Sequence, residues 1–434
     1  MEISAAIVLV IVFAFLLIMG TPVSFSIITS AAVTITMFLS PKFAMFIAAQ
    51  KLTTGIDSFS LLAVPFFILA GNLMGSGGLA QRLVNLAMLV LGRVPGSLAL
   101  TNIAGNAMFG SLSGSGIAAA SAMGSVLRDP EKNAGYEEEF SAATNIATAP
   151  VGQLIPPTNA FIIYSAACGG VSVATLFIAG WVPGLLWAAL CMVAAFLFAK
   201  KHGYVVRNAQ KLSFRQVFKT IWDAVPSILM IVIIIGGILS GVFSPTEASG
   251  VAVVYAFILS VCIYRSIKLR EIKEILVNTA SMTTIVMLII GASAVLSFVL
   301  SFTGLPQAIS TALLSITTNK YILLIINVIL LVVGTFMDMA PALLIFTPIF
   351  LPVVTSIGMD PIHFGVMMVM NLAVGTITPP VGSVLFVGCS VANLKVEKVV
   401  PRLIPYFIAI VIGLVLVTFI PALSLGLPSL FGMI

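Results

Sequence analysis

Charge is what this sequence has least of. Its 434 residues include 20 Lys and Arg and 14 Asp and Glu, 8% of the chain. A soluble chain of this length needs roughly a quarter of its residues charged to solvate its surface, so a water-soluble enzyme is excluded. The net charge of +6 is no nucleic-acid footprint either, because the basic residues gather at the ends of apolar runs. Cysteine is equally sparse. Cys168, Cys191, Cys262 and Cys389 lie in apolar segments without CxxC pairing and read as small buried hydrophobes. His202 and His363 have no partner at a metal-ligand spacing, so neither a transition-metal centre nor an organic cofactor is expected.

What the chain has is hydrocarbon: 60% hydrophobic residues and a mean hydropathy of +1.21. Apolar runs of about 17–25 residues, enough to cross a bilayer, recur from end to end. The first, Ile3 to Met19, follows Glu2 rather than a basic segment, and reads as a retained span. The expected fold is an all-α polytopic membrane protein. Charge clusters at Arg82–Lys132, Lys200–Lys219, Arg265–Lys273 and Lys395–Arg402 mark cytoplasmic loops, leaving Lys42, Lys51 and Lys320 outside.

The chain also reads as two repeats of opposite orientation, 1–200 and 223–434, joined by a basic connector at 201–222. Spans near 3–19 and 23–40, an amphipathic arm at 43–57, a span at 59–76 and a short helix at 79–92 open the first. Spans near 224–243 and 247–264, an arm at 266–278, a span at 280–302 and a short helix at 305–317 open the second. Each half then carries an apolar segment broken at its centre, 97–127 at SLSGSG and 320–357 at GTFMDMAP, read as re-entrant helical hairpins. A span with a Gly/Pro break follows each, at about 136–173 (GQLIPPTN) and 361–393 (GTITPPVGS). The double prolines Pro156-Pro157 and Pro379-Pro380 align, as do Gly152 with Gly375 and, approximately, Gly110 with Gly334. Two missing donors prevent continuous helix. In lipid such a break survives only where protein or a cavity satisfies the freed carbonyls. Paired Gly/Pro breaks in inverted repeats point to a secondary transporter site.

The sharpest segment is FGSLSGSG at 109–116, in which six of eight residues are Gly or Ser. Unwound carbonyls and the hydroxyls of Ser111, Ser113 and Ser115 suit a hard cation such as Na⁺. Gly and Ser also make a seam along which helices approach closely; the residues fit both readings. Asp338 is the one carboxylate placed deep in the hydrocarbon, able to complete a cation site or carry a proton. Glu247 reads as an ordinary helix N-terminal acid, and DPEKNAGYEEE at 129–139 as a solvated loop. No Arg or Lys lies at the breaks. An anionic substrate would therefore rest on helix N-termini, bound cations and polar groups, with Ser111, Thr158, Asn159 and Ser383 as candidates. Two rivals remain: a stand-alone proton-coupled anion transporter using Asp338, and an intramembrane serine protease pairing Ser113 with His363.

The runs PFFILAGNLM (65–74), FGSLSGSGIA (109–118), IPPTNAFIIY (155–164) and DPIHFGVMMVMNLAVGTITPPVG (360–382), with AGWVPGLL ending at Leu186, resemble the large membrane subunit of tripartite ATP-independent periplasmic transporters. The resemblance implies a sodium-driven, elevator-type importer of organic acids such as C4-dicarboxylates or sialic acids, in the bacterial inner membrane. It implies a first sodium site at Ser113, Gly114, Ser115, Gly152 and Ile155, the last by its carbonyl before Pro156. It implies a second at Gly334, Met337, Asp338, Gly375, Thr376 and Thr378. The implied partners are a small four-span membrane subunit, expected as a separate polypeptide, and a periplasmic substrate-binding protein.

Overall fold

A computed structural model describes residues 2–204, 213–316 and 321–434. Residues 205–212 of the expected connector, with Arg207 and Lys211, and Lys320 of the expected second hairpin lie outside the described residues. Among the described residues every regular element is helical. Among these residues seven helices are long and apolar enough to cross a membrane by length and composition.

The chain opens with α1 (Glu2–Ile18), α2 (Val23–Ile35), α3 (Pro41–Ile56), α4 (Ala63–Ser76) and α5 (Leu79–Leu91). Hairpin 1 is α6 (Ser97–Ser113) and α7 (Gly116–Asn133). The first broken span is α8 (Glu138–Thr148), a 3₁₀ turn (Ala149–Gln153) and α9 (Asn159–Ala167), and α10 (Val173–His202) closes the half. The second half holds α11 (Phe214–Leu239), α12 (Pro245–Phe257), α13 (Leu269–Thr303) and α14 (Leu305–Ile316). Hairpin 2 is α15 (Ile322–Phe336) and α16 (Met339–Ser356). The second broken span is α17 (Pro361–Gly375) and α18 (Ser383–Ala392), followed by α19 (Val396–Phe419) and α20 (Ala422–Leu430).

Local chemistry makes the breaks. Gly114 ends α6 at φ +64°, with its N–H donating to the Gly110 carbonyl at 2.7 Å, a conformation glycine adopts without a Cβ penalty. Ser115, extended, then caps α7 by accepting from the Ala118 N–H at 3.3 Å. At the second tip Met337 is extended (φ −119°, ψ 147°) and Asp338 takes the N-cap position of α16. After the first double proline, Thr158 caps α9 by accepting from the Ala160 N–H at 3.2 Å.

Three elements depart from the sequence reading. Helix α11 starts at Phe214, inside the expected connector, because Ser213 and Gln216 form a capping box there. In the second half the arm and span are one 35-residue helix, α13. The first half breaks at Asp57-Ser58, residues that compete with helical hydrogen bonds. Thr279, near the corresponding place in α13, instead folds its hydroxyl onto the Ile275 carbonyl within the helix. The third departure is the 129–139 segment, which is no freely solvated loop. Glu131 is only 2% exposed and accepts from the Asn102 amide at 3.4 Å. Glu137 pairs with Arg402 of α19, and Lys132 with Glu138, each at 2.7 Å.

The hairpins and broken spans interleave. Helix α6 packs on the 3₁₀ turn of its own half and α15 on α17, whereas α7 packs on α18 and α16 on α9. Helices α2, α3 and α4 pack on α12 and α13 as a wall, which meets the core where α4 packs on α6 and α13 on α16. In each half the hairpin crosses the broken span backbone against backbone. A Cβ on Gly152 would lie 2.1 Å from Gly110 Cα, and one on Gly375 would lie 2.4 Å from the Gly334 carbonyl carbon.

Gly152→Ala and Gly375→Ala should each destabilise by about 1–3 kcal/mol or more, since backbone cannot step aside as a side chain can. Gly236→Ala in α11, where a Cβ meets nothing within 4 Å, should be neutral or stabilising by about 0.5–1 kcal/mol. Thermal unfolding of the three purified variants checks this ordering.

Glu131, at the polar end of α7 beyond the apolar spans, supplies a pH test. Burial pushes its carboxyl up from 4.5 to about 7, against the opposing Asn102 hydrogen bond. The folded chain therefore holds this proton more tightly than the unfolded one. Stability present below pH 4.5 is lost as pH rises to about 7, by on the order of 3 kcal/mol. Glu131→Gln should unfold at a higher temperature than the wild type at pH 8 and at the same temperature near pH 4.5. Parallel curves for the two proteins would exclude Glu131 as the group responsible.

Candidate functional site

The first tip lies in a tight enclosure. Gly71 of α4 faces it, since a Cβ there would come within 3.1 Å of the Ser113 carbonyl oxygen. On the other side a Cβ on Gly114 would lie 3.5 Å from the Asn159 backbone nitrogen, and one on Gly116 would lie 3.4 Å from Gln153 Cδ. Ser113, Gly114, Ser115, Thr158 and Asn159 thus meet at one place, with Gly152 beside them through its crossing with Gly110. Ser113 Oγ sits 3.5 Å from both the Gly110 and Ser115 carbonyl oxygens. Two acceptors at its border, Gln153 Oε1 and Asn159 Oδ1, are buried without a hydrogen-bond partner. A buried acceptor without a donor is costly.

Two predicted residues face elsewhere. The Ile155 side chain packs toward Gly184 of α10, which leaves only its carbonyl to serve the tip. Ser111, 1% exposed, donates to the Met108 carbonyl at 2.8 Å within its own helix, which leaves its lone pairs free.

The second tip repeats the plan with different atoms. The Gly382 N–H donates to the Thr335 carbonyl at 3.1 Å, and the N–H groups of Val384 and Leu385 converge on the Thr376 carbonyl at 3.0 and 3.3 Å. The carbonyl oxygens of Thr376 and Thr378 both face Gly382, each 2.9 Å from where its Cβ would be. The hydroxyls of Thr376 and Thr378 donate back to Ala373 and Val374 at 2.7 Å, leaving lone pairs for a cation. Ser383, half-buried, is the first residue of α18. Met337 packs against the apolar cluster built on α13.

The two double-proline segments differ in enclosure. Pro156, Pro157 and Thr158 are buried, whereas Pro379, Pro380 and Val381 are exposed.

The sequence reading missed the asparagines that brace both crossings. Asn106 on α6 donates to Asn145 Oδ1 on α8 at 3.1 Å, and Asn145 donates onward to the Ala120 carbonyl on α7 at 2.8 Å. One amide thus ties both limbs of hairpin 1 to the broken span. In the second half Asn371 on α17 donates to Asn327 Oδ1 on α15 at 2.7 Å, and Asn327 donates to Thr418 of α19 at 3.0 Å. Their signal was an asparagine four or seven residues before each crossing glycine, inside otherwise apolar runs.

Ser113 and His363 do not form a nucleophile–base pair. His363 is 2% exposed, and its Nε2 lies 3.3 Å from the Thr418 carbonyl oxygen. Among the described residues no group of His, Cys, Asp and Glu could hold a metal ion.

Comparison with known proteins agrees with this architecture. Residues 10–423 match the family described as the tripartite ATP-independent periplasmic transporter, DctM component. The chain is 48% identical over 421 residues to YgiK of Salmonella typhimurium, covering 97% of this chain and 96% of that protein. It is 35% identical over 432 residues to the C4-dicarboxylate TRAP transporter large permease protein DctM of Rhodobacter capsulatus, covering 96% and 97%. The crystal structure of the Alcanivorax borkumensis YdaH transporter superposes with a TM-score of 0.62 over 89% of each chain at 16% identity, a likeness of fold. The chain belongs to the DctM family, the large permease component of tripartite ATP-independent periplasmic transporters.

Proposed function

We propose that this permease carries an organic acid anion into the cell in symport with sodium, binding the cations at its two hairpin tips. The observation that carries the reading is the duplicated crossing, in which a glycine contact presses each tip against a helix break. Carbonyl and amide oxygens gather there without any fixed positive side chain. Ser113, Gly114, Ser115, Gly152 and Ile155 serve the first cation. Gly334, Met337, Asp338, Gly375, Thr376 and Thr378 serve the second, with the one carboxylate of the pair. Thr158, Asn159 and Ser383 sit at the starts of α9 and α18, where helix N-termini favour a carboxylate. Substrate affinity then depends on the neighbouring cations, which is the basis of coupling.

The interleaved core moves as one body past the wall of α2–α4 and α12–α13, an elevator motion. On this reading the permease lies in the bacterial inner membrane with its basic loops cytoplasmic. It works with a small four-span subunit and a periplasmic protein that delivers the acid, by analogy with its relatives. The C4-dicarboxylate named for the Rhodobacter capsulatus relative and the sialic acids suggested by the resemblance are the substrate classes to try first.

Sodium titration of the detergent-purified chain, with choline holding ionic strength constant, should raise the unfolding temperature in proportion to the logarithm of sodium concentration above Kd. The stabilisation approaches roughly 2.7 kcal/mol at a hundredfold excess over Kd, and should shrink in Ser113→Ala and in Asp338→Asn. Stability that follows pH and ignores sodium would instead make Asp338 a proton carrier.

In proteoliposomes holding both membrane subunits, with binding protein outside, uptake should require an inward sodium gradient. Asp338→Asn should slow it more than about tenfold, the loss of an interaction worth upwards of about 1.4 kcal/mol. Uptake driven by a proton gradient alone contradicts the sodium reading.

A further inference from the structure

Away from the tips, a cavity of about 480 Å³ lies between the wall and the core, bounded by α3, α13, the end of α9 and α16. Close packing of small residues sets its geometry. A Cβ on Gly55 would lie 2.3 Å from Ala294 Cβ, and one on Gly291 would lie 2.9 Å from the Leu52 carbonyl oxygen, so α3 and α13 touch here almost backbone to backbone. One turn before Gly55 on α3 stands Lys51, and one turn beyond Ala294 on α13 stands Phe298. The Lys51 ammonium lies 5.2 Å from the Phe298 ring centroid, within cation–π range.

Lys51 is the one charged side chain among the described residues that line this cavity. Among the described residues it has no carboxylate at ion-pair distance. Along the facing wall Ser293, Ser297 and Ser301 stand four residues apart, a file of hydroxyls over about 12 Å of helix. Ser293 is 2% exposed, lines the cavity, and its hydroxyl has no hydrogen-bond partner. A buried donor in that state calls for an acceptor. An unpaired cation, a donor without an acceptor and a file of further hydroxyls together describe a receptor for an oxyanion.

We propose that this cavity is a second anion site, in which Lys51 and the Ser293–Ser301 file hold the carboxylate of the incoming acid before it reaches the tips. The assignment rests on the anion-import reading above and adds to it. The tips hold cations and carry no basic side chain, so an anion approaching them lacks a fixed countercharge until sodium is bound. Lys51 supplies one on the wall, with the cavity between it and the core. On the proposed orientation this is also the periplasmic face, where a delivered acid arrives. An ammonium suits the role, because it makes a compact point charge and does not clamp the ligand in a fixed fork.

The test labels a thiol introduced by Ser297→Cys in the full chain, reconstituted with its small subunit in choline buffer of low ionic strength. Modification of that site, read by peptide mass spectrometry apart from the four native cysteines, is timed with an anionic and a cationic methanethiosulfonate. Each rate is normalised to a free thiol. The anionic reagent should react about tenfold faster. The preference should collapse towards one in Lys51→Gln and persist in Lys51→Arg. Millimolar succinate or a sialic acid should slow the anionic reagent in the parent and in Lys51→Arg only. A ratio unaffected by Lys51→Gln, or labelling that neither acid slows, overturns the site. The assay needs neither sodium nor a gradient, so its result is separable from that of the sodium titration.

Discussion

A helix interrupted inside hydrocarbon leaves amides and carbonyls that no water can reach, each costing several kcal/mol if it stays unpaired. This chain interrupts its helices four times, at two tips and two double prolines, and meets the cost by bringing the interruptions together in pairs. Contact between Gly110 and Gly152, and between Gly334 and Gly375, removes every side-chain atom from the crossing, so that backbone can face backbone. The Gly382 N–H on the Thr335 carbonyl, and two α18 amides on the Thr376 carbonyl, show the result. The first of these crosses from the broken span to the tip, and the other two close the broken span on itself.

That pairing explains which features were legible in the sequence. Gly, Ser and Pro announce a break wherever they interrupt an apolar run, so both tips and both broken spans were placed by punctuation alone. Glu247 was read correctly as a helix N-terminal acid, because the capping box with Ser244 is local in sequence. Contacts between distant segments were not legible. Asn106 and Asn145 lie 39 residues apart and Asn327 and Asn371 lie 44 apart; each alone is one polar residue in an apolar run. Glu131 was misread for the same reason. DPEKNAGYEEE is polar enough to pass for a loop, and only Asn102, brought in from α6, shows that its second acid is buried. The single helix α13 was cut in two because its amphipathic start and apolar remainder differ in composition without any breaker between them.

The interleaving has a mechanical consequence. Half of each broken span packs on the hairpin of the opposite repeat, and the seams are tied by hydrogen bonds. Tyr164 of α9 donates to the Pro361 carbonyl at 2.6 Å, and Thr144 of α8 meets the Tyr406 hydroxyl of α19 at 2.7 Å. Neither tip can shift without carrying parts of both repeats. On the proposed reading that rigidity lets two cations and an anion cross together, since a core of two loosely joined halves could pass an ion through one site alone.

The matched crossings are not matched in enclosure. At the first break the double proline, Thr158 and the orphaned oxygens of Gln153 and Asn159 are sealed from solvent. The second leaves its prolines exposed. On the proposed reading, an ion at the first site is held by carbonyl and hydroxyl oxygens alone, whereas one at the second also meets the Asp338 side chain. Under the proposed coupling, the first tip, walled by Gly71 of α4 and bordered by Thr158 and Asn159, is where cation occupancy is passed to the start of α9 and so to the substrate.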